Sequence, residues 1–270
     1  MRDQFNRDLN YLRVSITDRC NLRCAYCMPE EGVEHMPHDE LLSYEELYTV
    51  IDEFVKLGVK KLRITGGEPL VRKDVVNFIE KVASLKQLND IAMTTNGIGL
   101  VELAEPLKKA GLHRVNISLD TLNPERYKYI TRGGDLNIVL KGILIAKEVG
   151  LKIKINCVVN KGINDDEIGQ FIQLTDTWGV DVRFIELMPI GQNIKYAQDH
   201  FYSNELIIKQ FPDLIPVIAE DPSSPARYYQ LEGAKGKVGL ISPLSCNFCA
   251  YCNRLRLTPD GKLKPCLHSD

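Results

Sequence analysis

The chain has 270 residues, a formal net charge of −2 and 44% apolar residues, enough to bury a full core as one large domain or two small ones. The charge argues against a generic nucleic-acid or membrane-surface binder. The opening MRDQFNRDLNYLRV has no apolar signal segment and no apolar run approaches the roughly 20 residues that span a bilayer, so a cytoplasmic protein is expected.

In chain order the first two thirds alternate strand and helix patterns. Residues 11–17 (YLRVSIT) alternate as a first strand. Residues 43–57 read as a helix: Ser43 caps, Glu46 completes a capping box, and Leu47, Val50, Ile51 and Phe54 share a face before Gly58 stops it. A strand at 62–65 runs into Gly66-Gly67, followed by a helix over 73–85, a strand at 91–95 and a helix over 100–110 whose continuity Pro106 weakens. Strand 114–119, a polar loop, helix 136–149, strand 152–159, helix 165–178 and strand 181–187 complete the series. Six strands with helical crossovers predict a parallel sheet, either doubly wound or an open barrel short of the closed eightfold form. In both, chemistry belongs at the carboxyl ends of the strands. After Pro189 the pattern changes, with one helix at 204–211 and a loop through DPSSPARYY.

Seven of the eight cysteines fall into two clusters, which in an intracellular chain reads as metal ligation rather than disulfides. Cys20, Cys24 and Cys27, in TDRCNLRCAYCMP, follow the first strand with spacing Cys-x3-Cys-x2-Cys. Three thiolates leave one iron open on a cubic iron–sulfur cluster that normally takes four, whereas structural zinc wants a closed set. The second cluster holds Cys246, Cys249, Cys252 and Cys266, and on spacing alone a four-cysteine zinc ribbon competes there. Cys157, alone in an apolar strand, is expected to be a buried, inert thiol.

Charged strand residues are a second signal. Arg13, Lys61, Arg63 and Lys154 would ordinarily be salt-bridged or solvent-facing. Arg63 and Lys154 are harder to place that way, because interior strands of such folds are apolar on both faces. Arg254 and Arg256 share a face of an extended segment.

The motifs FNRDLNYLRVSITDRCNLRCAYCMP, LRITGGEPLVR, TTNG, RVNISLDTL, INCVVNKGIND, RFIELMPIG and NRLRLTPDGKLKPCL, taken in order, resemble the radical S-adenosylmethionine (SAM) enzymes. Among these they are similar to the GTP 3′,8-cyclase family of molybdenum cofactor biosynthesis, over most of the chain. The resemblance implies an α/β fold, a partial (βα)6 TIM-like barrel over 1–190 with a C-terminal iron–sulfur extension over 191–270. It implies two 4Fe-4S clusters: one on Cys20, Cys24 and Cys27 that chelates SAM, and one on Cys249, Cys252 and Cys266 whose open iron faces the guanine, with Cys246 a bystander. Tyr26, Gly67, Ser118 and Met188 are the implied SAM contacts. Arg13, Lys61, Arg63, Thr94, Lys154, Arg254 and Arg256 are the implied GTP contacts, and Arg254 and Arg256 the implied catalytic pair.

The implied chemistry cleaves SAM reductively to a 5′-deoxyadenosyl radical, which removes hydrogen from C3′ of GTP, and the ribose radical then closes on C8. A related enzyme with an auxiliary cluster that modifies a peptide is the alternative. The implied partners are GTP, an electron donor such as flavodoxin or ferredoxin, and a downstream cyclic pyranopterin synthase, with no nucleic acid and no membrane; a homodimer is compatible. Family members continue for several dozen residues to a Gly-Gly tail that reaches the active site. A chain ending at Asp270 is therefore expected to bind GTP but to cyclise it weakly.

Overall fold

The six expected strands form as parallel neighbours. In a computed structural model that describes residues 1–189, 194–221, 223–246 and 248–267, β1 (Tyr11–Ser15), β2 (Lys61–Thr65), β3 (Asp90–Thr95), β4 (Arg114–Ser118), β5 (Lys152–Val159) and β6 (Asp181–Glu186) pair in chain order. The intervening helices are α1 (Tyr44–Lys56), α2 (Val75–Ala83), α3 (Leu100–Lys109), α4 (Pro124–Thr131), α5 (Leu136–Glu148) and α6 (Ile168–Thr177). The expected capping box starts α1: Glu46 N donates to Ser43 Oγ at 3.2 Å, and Ser43 N donates to Glu46 Oε2 at 2.8 Å.

Strand parity sorts side chains between two environments. Leu12 and Val14, Leu62 and Ile64, Val115 and Ile117, and Val182 and Phe184 are buried in the apolar core. The residues between them, Arg13, Arg63, Asn116 and Arg183, project to the opposite face, because successive side chains alternate along a strand. That face is therefore polar, where a closed barrel would be packed with branched apolar side chains.

Several expectations need correction. Pro106 does not interrupt α3; Leu100, Ala104 and Leu107 are fully buried, and this packing holds the helix across the missing N–H. The polar loop before residue 136 contains α4, started by Pro124 in its first turn and by Asn123 Oδ1, which accepts from Arg126 N at 3.0 Å. The loop expected through DPSSPARYY ends in a strand, β8 (Ala226–Gln230); Pro222 lies outside the described residues.

The last quarter of the chain also adds β7 (Ile215–Val217), β9 (Val238–Ile241), β10 (Arg254–Leu257) and β11 (Leu263–Lys264), besides α7 (Ile194–Asp199) and α8 (Asn204–Gln210). β9 pairs parallel with β6, and β10 pairs parallel with β1, so the C-terminal segments extend both edges of one sheet, in the order β11-β10-β1-β2-β3-β4-β5-β6-β9-β8-β7. The boundary expected at 190/191 falls at residues outside those described.

Candidate active site

One cavity of about 1200 Å³ is lined from β10, β1 and β2 on one side and from β5, β6 and β8 on the other, so the sheet curls around it as a half-barrel. Its wall carries an unusual row of charge. The pairing places Arg13 opposite Arg256 on one neighbour and opposite Arg63 on the other, three guanidinium side chains on adjacent strands in one register. Adjacent strands lie about 4.8 Å apart, and like charges in register are destabilising. Arg63 is 8% exposed, its guanidinium lies over the Tyr11 ring at 5.4 Å, and its Nε has no hydrogen-bond partner. Burial pushes its pKa down to about 10. Arg13 Nε is likewise buried without a partner, and burial with Arg63 beside it holds its pKa well below the usual range. Burial and Arg254 lower Arg256 as well.

The other expected GTP residues reach the same cavity in different states. Lys61 Nζ is 2.5 Å from Asp221 Oδ2, and Lys154 Nζ is 2.7 Å from Asp181 Oδ2, so both lysines carry a carboxylate partner. Arg254 is buried, donates to the Ser223 carbonyl at 3.0 Å and lies over the Phe248 ring. Thr94, half-buried near the end of β3, also lines the cavity. Arg183 is a cavity residue that the sequence reading does not single out. It is 7% exposed, donates through Nη2 to Tyr228 Oη at 2.7 Å, and has an unpartnered buried Nε. The signal is present in the sequence, since Arg183 sits between Val182 and Phe184 just as Arg63 sits between Leu62 and Ile64.

Past the carboxyl end of β1, Cys27 N donates to the Cys24 carbonyl at 2.8 Å and Met28 N to the same carbonyl at 3.2 Å, so the first cysteine loop forms a closed turn. The Cys24 and Cys27 thiols share a hydrogen bond, which pushes Cys24 up from the usual thiol range and Cys27 down; burial pushes Cys20 up. Tyr26, next to Cys27, donates to Asp120 Oδ2 at 2.7 Å, and burial pushes that carboxyl up to about 6. Ser118 and Met188 lie at the carboxyl ends of β4 and β6, half-buried. Met188 lines the cavity together with Gly66; Cys20, Cys24, Cys27, Tyr26, Gly67 and Ser118 lie outside its lining.

Gly66 and Gly67 allow close backbone approach, and the cysteine loop is what approaches. Gly67 N donates to the Thr17 carbonyl and Glu68 N to the Arg19 carbonyl, both at 2.8 Å. A Cβ on Gly67 would lie 2.3 Å from the Arg19 carbonyl oxygen. Glu68 is buried and accepts from Leu70 N at 3.0 Å, Thr95 Oγ1 at 2.7 Å and Asn96 N at 2.6 Å, fixing the whole element against the end of β3. Gly67→Ala should therefore destabilise the protein by about 3 kcal/mol, at the upper end of overpacking. Thermal unfolding of the iron-free protein measures this, and an unchanged midpoint would show that the loop can retreat.

The second cysteine set surrounds the far side of the cavity. Cys249 lies in a short 3-10 turn (Cys249–Tyr251), Cys252 follows it directly, and the antiparallel β10–β11 pair returns the chain so that Cys266 joins them in the cavity wall. Cys246 is exposed and is absent from that wall. The loop before Cys249 is tied to the barrel by Glu186, 1% exposed, which accepts from Leu244 N at 3.2 Å and Ser245 N at 3.1 Å. Cys157 is 1% exposed, as expected of a core thiol.

Residues 14–175 match the Radical SAM superfamily, and residues 180–270 match Molybdenum Cofactor Synthesis C. A GTP 3′,8-cyclase of Alkaliphilus oremlandii is 56% identical over all of this chain and 84% of its own length. One from Thermodesulfovibrio yellowstonii is 51% identical over all of this chain and 85% of its length. This chain belongs to the GTP 3′,8-cyclase family of radical SAM enzymes. Its fold is shared more widely. A solved structure of Streptococcus suis SuiB has a TM-score of 0.70 at 16% identity, covering 97% of this chain and 62% of that one, so the chain spans about three fifths of SuiB. Methylornithine synthase (PylB) has a TM-score of 0.58 at 17% identity, covering 89% and 74%.

The family's cofactors are 4Fe-4S clusters and SAM. The donor sets fit. Cys20, Cys24 and Cys27 are uncommitted to disulfides, as are Cys249, Cys252 and Cys266. Among the described residues no three His, Cys, Asp or Glu side chains converge on a single ion position. A cubic cluster does not ask for that, since each thiolate binds a different iron.

Proposed function

We propose that this chain converts GTP to 3′,8-cyclo-7,8-dihydro-GTP, the first step of molybdenum cofactor biosynthesis. The observation that carries the reading is the register of Arg256, Arg13 and Arg63 within a cavity that also meets Cys249, Cys252 and Cys266. A triphosphate brings about four negative charges, and each charge-assisted bond to it contributes about 1.5–3 kcal/mol. Lys61 and Lys154 share their charge with Asp221 and Asp181, so the arginines, with Arg183, hold most of the uncompensated charge.

When bound, the cluster on Cys20, Cys24 and Cys27 together with SAM supplies a hydrogen-abstracting radical. Tyr26, Gly67, Ser118 and Met188 are the residues proposed to hold SAM at the carboxyl ends of the strands. Arg254 and Arg256 are proposed to orient the base end of GTP beside Cys249, Cys252 and Cys266, with Thr94 on the opposite wall. Holding C3′ and C8 near contact is where such a two-ended grip contributes most. The division of labour follows the chain: 1–190 as the SAM barrel, 191–270 as the extension with the second cluster. An electron donor of the flavodoxin or ferredoxin type and a downstream cyclic pyranopterin synthase are the proposed partners, and a homodimer the proposed assembly. Among the described residues no helix is long and apolar enough to cross a membrane.

One SuiB structure holds a precursor peptide. A peptide substrate here would leave the arginine row without a polyanion, which favours the nucleotide.

The test is anaerobic incubation with GTP, SAM and dithionite. GTP gives up one hydrogen atom and regains an electron and a proton, so the product has the mass of GTP. A new chromatographic peak of that mass, with one 5′-deoxyadenosine per product, is the expected result. Formation of 5′-deoxyadenosine with GTP unchanged would overturn the substrate assignment.

A further inference from the structure

Three non-glycine residues among those described have positive φ: Asn6, Asp74 and Arg132. Asn and Asp enter that region readily, whereas an arginine does not. Arg132, with φ of 55°, is the residue that ends α4. Its backbone turn sends the side chain back over the first cysteine loop. Nη1 donates to the Arg23 carbonyl at 3.1 Å and to the Met28 carbonyl at 2.8 Å. Those two carbonyls bracket Cys24 and Cys27 on either side. The end of α4 braces the same turn through its backbone: Arg23 N donates to the Thr131 carbonyl at 3.2 Å and Ala25 N to the Ile130 carbonyl at 2.9 Å.

A residue needed only to stop the helix would be glycine, which takes this conformation without strain. The side chain explains the arginine. We propose that Arg132 is a positioning residue that fastens both ends of the Cys24–Cys27 turn and so sets the spacing of these two cluster ligands before iron arrives. The proposal rests on the assignment of Cys20, Cys24 and Cys27 as cluster ligands. It makes the turn pre-organised, since ligation would then order little chain, and it makes the cluster slower to lose iron.

Arg132→Gly separates this role from mere structure, because it relieves the backbone while removing the clamp. In iron-free protein its unfolding midpoint should equal or exceed that of the parent. In reconstituted protein, the SAM-dependent change in the electron paramagnetic resonance spectrum of the reduced cluster should weaken, and under a chelator that signal should decay at least fivefold faster. Arg132→Lys, with one donor group in place of the fork, should fall between the two. An Arg132→Gly protein that keeps the parent's spectrum and decay rate overturns the proposal. So does one whose iron-free midpoint drops along with its iron, which would mark Arg132 as a fold residue only. A parent protein with no SAM-responsive signal would overturn the cluster assignment itself, and the proposal with it.

Discussion

Arg63→Met is expected to stabilise the ligand-free protein while weakening GTP binding about 10- to 100-fold. Arg63 is 8% exposed, with Arg13 beside it in register and Arg256 beyond. Burial brings its pKa to about 10, below the 12.5 it has when solvated. A cation whose folded pKa is depressed destabilises the fold at every pH below that value, and the penalty fades as pH climbs from about 10 towards 12.5. At 1.36 kcal/mol per unit the penalty at neutral pH is on the order of 3 kcal/mol. Methionine removes the charge and keeps a flexible apolar side chain over the Tyr11 ring. The melting temperature of the ligand-free form should rise by about 3 °C or more. GTP binding loses one charge-assisted contact of about 1.5–3 kcal/mol, which calorimetric titration reads directly, and its salt dependence should flatten. A variant that loses stability and affinity together would make Arg63 a structural residue and undo this reading of the arginine row.

That row is only half legible in the sequence. A charged residue between two apolar ones on an interior strand marks Arg63, and the same pattern recurs at Arg183 without any motif to draw attention to it. What no pattern could supply is the register. It depends on β10 returning from the far end of the chain to pair with β1, which makes Arg256 and Arg13 neighbours despite their separation in sequence. Strands of two to five residues, such as β7 through β11, carry too little alternation to read. The main βα series is readable because its apolar positions repeat over long segments and its caps are explicit, as at Ser43 and Glu46. α4 is not, since PERYKYIT is mostly polar and opens on Pro124, which reads equally as a turn. The lysines show the limit of composition: Lys61 and Lys154 sit where the pattern puts them, but only the structure supplies Asp221 and Asp181. Glu68 belongs to a readable motif, yet its partners at Thr95 and Asn96 come from the next strand.

Cys24→Ala should remove the first cluster and nothing else: reconstituted protein should fall from about eight irons to about four, and SAM cleavage should drop to background. The selectivity follows from where the residues lie. Cys20, Cys24 and Cys27 occupy a turn beyond β1, braced by Gly67 and Glu68 from one side and by α4 from the other. Cys249, Cys252 and Cys266 are held on the opposite wall by the 3-10 turn and the β10–β11 pair. Removing one thiol from the first set leaves two ligands for a cluster that needs three, while the hydrogen bonds that close the turn, Cys27 N and Met28 N to the Cys24 carbonyl, are backbone bonds that alanine keeps. The iron-free fold should therefore be preserved, and GTP binding should persist at close to parent affinity, because the arginine row does not touch Cys24. Iron analysis, 5′-deoxyadenosine release and GTP titration on one preparation check the three parts together. Retention of about eight irons would mean that another donor completes the first site, and loss of GTP binding would mean that the first cysteine turn also organises the cavity. Separable loss, with the radical source gone and the nucleotide still bound, is what two sites on opposite walls of one half-barrel require.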